Sequence, residues 1–164
     1  MKKHTLIAKG FHWTFVAVFA YAMYKQVGDV EDLAQPGLIE FEVVFATLFL
    51  ALLFARYVYM SGQKTALPDT APTWQHRASK LVHGSMYVCF AMTAITGLLI
   101  GLLFRSGYTE GWQIGLVAEV HGIFISTAVV LVVIHVLAAI YHRLLNDGVW
   151  SSMVPLLREK GVRE

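Results

Sequence analysis

A single cysteine rules out a disulfide framework and a thiolate metal cluster in this chain. Cys89 stands inside an apolar run, where it reads as a small buried side chain. Charge is scarce too: charged residues make up 15% of the sequence, against 57% hydrophobic residues. A soluble domain of 164 residues rarely has so little polar surface. The net charge of +2 is uninformative as a total, but the basic residues are distributed as topology requires, and nothing in them suggests a nucleic-acid partner. There is no glycine-rich phosphate loop, carboxylate dyad or nucleophile triad. Internal repeats, low-complexity tracts and lipidation motifs are also lacking.

What is present is four long apolar runs, at about 6–24, 39–60, 82–104 and 117–144. Each is long enough for a membrane helix, which needs roughly 20 apolar residues. Together they leave no room for a separate soluble domain. The expected fold class is all-α, an integral membrane four-helix bundle over residues 1–146. Residues 147–164 are expected to form a cytoplasmic tail. The first run has basic flanks, Lys2 and Lys3, but no clear small-residue cleavage site, so it reads as a permanent span.

Charge distribution sets the orientation. Lys2, Lys3, Lys9, Arg56, Lys64, Arg77, Lys80, Arg143, Arg158, Lys160 and Arg163 fall on one face of the membrane. Only Lys25 and Arg105 fall on the other, where Asp29, Glu31, Asp32, Glu40 and Glu110 make the loops acidic. The positive-inside rule then places both termini in the cytoplasm. The inner connector holds Pro68 and Pro72, and "TAPTW" predicts a helix start near Thr73. Tyr108 and Trp112 suit an interfacial aromatic belt. Gly97 and Gly101 in "GLLIG" allow close helix approach, either within the chain or in a dimer. In the tail, Trp150, Met153, Leu156 and Leu157 suit one apolar face opposite Arg158 and Lys160, as in a short interfacial helix; a frayed terminus is the plainer alternative.

Seven histidines are many for so small a membrane protein. Ionisable residues inside spans are costly and usually functional. His4 lies outside the spans and His76 at the start of the third helix, which leaves His12, His83, His121, His135 and His142. His12 opens the first span in "KGFHWTFVAVFAY". His121 and His135 are fourteen residues apart on the fourth span, close to four helical turns, so they share a face roughly 21 Å apart along the axis. That separation suits two haems, one near each membrane surface. Imidazole is a good axial ligand for haem iron, and facing helices hold a porphyrin in a bundle core. Zinc would need its ligands clustered, which the fourteen-residue step opposes. Any one of these histidines alone reads equally well as an interior polar residue hydrogen-bonded across helices. By depth, His12 or His83 can pair with His135. His121 lies near the outer face, and the start of the second span, "PGLIEFEVVFA", offers it no histidine.

The chain resembles the bacterial cytochrome b561 family, including its superoxide oxidase type. The resemblance covers nearly the whole chain. It rests on the four spans, the "HW" pair opening the first, the histidine pattern of the fourth, "VHGSMYVCFAMTAITGLLIG" in the third and "NDGVWSSMVP" after the fourth. It implies two b-type haems in a bacterial inner-membrane protein. The inner haem would be held by His12 and His135, and the outer one by a histidine early in span two together with His121. Counting back fourteen residues from Arg56, which matches a family arginine, lands on Glu42. This departure leaves Glu42 as an oxygen ligand, a hydrogen-bond partner of His121, or an interfacial carboxylate beside Glu40. The outer haem is then five-coordinate, altered or absent.

By the same resemblance, His83 and His142 line a quinone pocket or carry protons to it. Arg56, Lys80 and Arg143 pair haem propionates; their plainer role is topology and headgroup contact. The function implied is electron transfer between an outer donor, superoxide in one family type, and ubiquinone. The alternatives are an electron-transfer subunit serving a partner dehydrogenase or hydrogenase, and a haem-poor structural relative.

Overall fold

The chain folds into four long helices joined by short connections, seen here in a computed structural model that describes residues 5–63, 66–154 and 159. Lys2, Lys3, His4, Lys64, Leu156, Leu157, Arg158, Lys160 and Arg163 lie outside the described residues. Helix α1 spans Leu6–Tyr24, α2 Leu38–Ser61, α3 Thr73–Arg105 and α4 Trp112–Leu145, and a short α5 covers Val149–Met153. A single 3-10 turn, Val30–Ala34, sits in the first far-side loop. Because the long helices alternate in direction, α1 and α3 start, and α2 and α4 end, on one side. We call this the terminal side and the opposite one the far side.

Local chemistry sets the helix ends. The hydroxyl of Thr5 accepts from the Ala8 amide at 3.1 Å, capping α1. Pro72 precedes α3, where its missing N–H costs no helical bond. Asn146 takes the left-handed conformation, φ 53°, that stops α4, a role its side chain tolerates better than most. Helices α3 and α4, 33 and 34 residues long, exceed the expected runs at 82–104 and 117–144. At 1.5 Å per residue each measures about 50 Å, well beyond a hydrocarbon core of about 30 Å. Hydropathy marks only the lipid-buried stretch, whereas polar turns such as "TWQHRASK" continue the helix outward.

All four long helices are apolar enough to cross a membrane. Their outward faces carry large aliphatic side chains, with Leu48 64%, Leu102 62% and Ile123 63% exposed, a surface suited to lipid and not to water. At mid-height, Phe15 of α1, Phe49 of α2 and Phe90 of α3 pack around one point. Phe15 lies 5.0 Å from each of the other two rings, and Leu53, Cys89, Ala94 and Ala128 complete the cluster. Cys89 is buried there, as expected.

Gly97 and Gly101 serve packing within the chain. A Cβ on Gly97 would stand 3.3 Å from the His121 ring, and one on Gly101 only 2.8 Å from a Val43 methyl. Their bare backbone is what lets α3 approach α4 and α2.

The tail folds back onto the terminal side. Lys9 donates to the Ser151 carbonyl at 3.3 Å, and the Trp13 indole N–H donates to the Met153 carbonyl at 3.1 Å. The buried Glu159 carboxylate accepts from the amides of Gly148 and Ser151, at 3.0 and 3.1 Å, at the start of α5. Trp150 and Met153 are partly buried, so this segment is docked and not frayed.

Candidate functional site

Each long helix sends one nitrogen-bearing side chain to a common place on the terminal side. His12 comes from α1, Arg56 from α2, His83 from α3 and His135 from α4. The His135 ring centre lies 6.3 Å from that of His12 and 4.9 Å from that of His83. Arg56 Nη2 donates to His12 Nδ1 at 3.2 Å. Tyr87 of α3 stands beside Arg56, and its ring packs edge-on to Tyr57 at 5.3 Å. Its Nη1 is buried and has no partner among the described residues.

Hydrogen-bond partners fix the ring protons. A guanidinium only donates, so His12 Nδ1 accepts and the proton of a neutral ring sits on Nε2. At His83 the reverse holds. Nδ1 lies 2.7 Å from the Ser79 carbonyl, which only accepts, so Nδ1 carries the proton and Nε2 keeps its lone pair.

His142 is set apart from this group. Its Nδ1 lies 2.6 Å from the Asp147 carboxylate, joining the end of α4 to the tail. Arg143 lies over the Trp150 ring, 5.2 Å from its centroid, and Lys80 is exposed.

On the far side lies a cavity of about 660 Å³ lined by His121, Glu42, Thr93, Gly97, Phe45 and Phe49 among others. Close-packed interiors have few voids larger than a water, and ligand pockets fall in this size range. His121 Nδ1 is 2.8 Å from the Thr96 hydroxyl. That hydroxyl is closer still, 2.6 Å, to the Met92 carbonyl, which must receive its only proton. Thr96 therefore accepts from His121 Nδ1–H, and Nε2 is left with its lone pair. Thr96 and Tyr87 escaped the sequence reading. A hydroxyl beside glycine in the apolar "AITG" was the available signal for Thr96.

Glu42 shares this cavity but not a hydrogen bond with His121. Among the described residues no ion pair or hydrogen bond reaches it, whereas Glu40 pairs with Arg105 at 3.6 Å.

The family model for prokaryotic cytochrome b561 matches residues 3–156. The chain belongs to the prokaryotic cytochrome b561 family. No match was found among curated proteins or among solved structures. As a member of the cytochrome b561 family, the chain is a bacterial integral membrane b-type cytochrome of electron transfer, and b-type haem is the group its histidines must be tested against.

They fit it. Two imidazoles joined through one metal by bonds of about 2 Å have ring centres roughly 6 Å apart, and His12 and His135 stand at 6.3 Å. The orphaned Arg56 Nη1 lacks an acceptor of the kind that a propionate carboxylate provides. On the terminal side, then, His12 and His135 stand at the spacing of two axial ligands and Arg56 offers a buried nitrogen to an anion, while its bond to His12 Nδ1 must open before Nε2 can serve a metal.

Proposed function

We propose that this cytochrome b561 holds a haem b through His12 and His135 near the cytoplasmic face, and passes electrons between a donor at the outer face and the quinone pool. The observation that carries this reading is the 6.3 Å spacing of the two rings, drawn from the first and last spans. The haem supplies one-electron oxidation and reduction. Two imidazole ligands favour electron transfer over chemistry at the metal.

The chain's own residues prepare that site. For His12 to bind through Nε2, its proton must sit on Nδ1, so Arg56 has to release the ring. Both guanidinium ends are then available to a carboxylate, which a bidentate contact holds best. His83 is exposed on α3 beside His135, so a quinone arriving through the bilayer can reach it, and its ring can deliver a proton. The donor in this reading is superoxide. Two superoxide ions each give up one electron and become dioxygen, and one ubiquinone takes two electrons and two protons to become the quinol.

One observation favours a different ligand. His83 already has its Nδ1 proton on a backbone carbonyl, the arrangement common to metal-binding histidines, and its ring is nearer to His135. A haem held by His83 and His135 is the second reading.

The test is a haem count on the purified full-length chain, with reduced-minus-oxidised spectra of His135→Ala, His12→Ala and His83→Ala. Loss of the low-spin spectrum in His135→Ala and His12→Ala, with retention in His83→Ala, is expected. The reverse pattern transfers the ligand role to His83, and undiminished haem in His135→Ala overturns both assignments. Quinone reduction by superoxide without a partner supports the oxidoreductase. Its absence in a haem-loaded chain makes the protein a subunit that serves a partner enzyme.

A further inference from the structure

The far-side cavity is unlike the terminal-side site in one respect. It contains one imidazole and no second. Among the described residues His121 is the only histidine in the far half of the bundle. Its ring packs closely on α3 at Gly97, where a Cβ would stand 3.3 Å from Cε1, and Thr96 holds its Nδ1 proton. Its Nε2 lone pair is therefore preset in the same way as that of a metal-binding histidine whose other nitrogen is tied down. The cavity it lines is of cofactor size and walled mainly by apolar side chains, aliphatic ones such as Val43, Ile100 and Ile125 together with the rings of Phe45, Phe49 and Phe90. At the position on α2 where a matching imidazole would stand, the chain carries Glu42, half-buried and without a partner among the described residues.

We propose that this cavity is a second haem site in which His121 is the only histidine ligand, leaving one coordination position open to a small exogenous ligand. The inference rests on the reading of the chain as a haem cytochrome and deepens it. One histidine ligand with a free position is the ligation that supports diatomic binding, whereas double histidine ligation blocks it. A carboxylate is a weak-field oxygen donor, so a haem reached by Glu42 would also stay high-spin and exchange its sixth ligand. Glu42 thus sets the polarity of the open side, and the two ends of the bundle differ in kind: a closed terminal-side site for electron relay and an open far-side site for a small molecule.

The experiment uses the full-length chain, purified with its native haem. Haem per chain is counted, ferric spin state is read by electron paramagnetic resonance, and carbon monoxide is added to the reduced protein. Two haems per chain are expected, one low-spin and inert to carbon monoxide, one high-spin and reactive. His121→Ala should lose the reactive haem and keep the low-spin one. Glu42→His should keep both haems, convert the high-spin signal to low-spin and abolish carbon monoxide binding, an outcome that also guards against misfolding of the first variant. One low-spin haem per chain overturns the second site, two haems both inert to carbon monoxide overturn its open position, and either result leaves the terminal-side reading intact. A chain with no haem overturns both.

Discussion

Hydrogen bonding at Nδ1 decides what each of three histidines can do. His12, His83 and His121 carry the same imidazole, yet their Nδ1 atoms face a guanidinium, a carbonyl and a hydroxyl in turn. These partners set which nitrogen keeps its lone pair. Arg56 is the most exposed to test. A cation close to haem disfavours the ferric form, which is the more positive of the two, so removing the charge stabilises the oxidised state. Arg56→Gln is expected to lower the midpoint potential of the low-spin haem by on the order of 50 mV, about 1 kcal/mol for one electron. Arg56→Lys keeps the charge and should restore most of that potential, though not the two-pronged contact. A spectroscopic redox titration reads both variants. An unchanged potential in Arg56→Gln would remove the arginine from the haem site. The sequence marked Arg56 as a residue of interest, but not its hold on His12, because that contact joins residues 44 apart in the chain.

Helices are the level at which the sequence was most legible. Apolar runs of the right length locate all four spans, and "TAPTW" marks the start of α3 at Thr73. Helix ends were less legible, since polar turns of α3 and α4 carry on past the apolar limit. The close approach of α3 was legible as a spacing of small residues but not as a partner choice. Gly101 meets Val43, so the glycine serves α2. Gly101→Ala should therefore force the two helices apart and cost about 1–3 kcal/mol, the usual range for overpacking. Thermal denaturation in detergent measures this, and adding Val43→Ala should recover most of the loss. If the double variant is no more stable than the single one, the clash is not with Val43.

At the scale of the whole molecule, orientation follows from charge. Of the seven described lysines and arginines, Lys9, Arg56, Arg77, Lys80 and Arg143 lie on the terminal side and only Lys25 and Arg105 on the far side, so the terminal side is expected to face the cytoplasm. Because Cys89 is buried, an introduced cysteine can be labelled selectively. Glu110→Cys, on an exposed far-side loop, should react with a membrane-impermeant maleimide in intact spheroplasts, and a cysteine added after Glu164 should react only once the membrane is opened. The opposite pattern would invert the bundle and exchange the two sites. The sequence by itself determined the class of this protein, since long apolar runs have no stable place but a membrane and a fourteen-residue histidine step has a fixed length along a helix. Only the tertiary structure decided which side chains share a site, because that depends on helix rotation and on packing between distant segments. It set both His12 and His83 against His135, tied the tail to α1 through Trp13 and Lys9, and opened a cavity beside His121, where glycine leaves room for the ring and Thr96 fixes its proton.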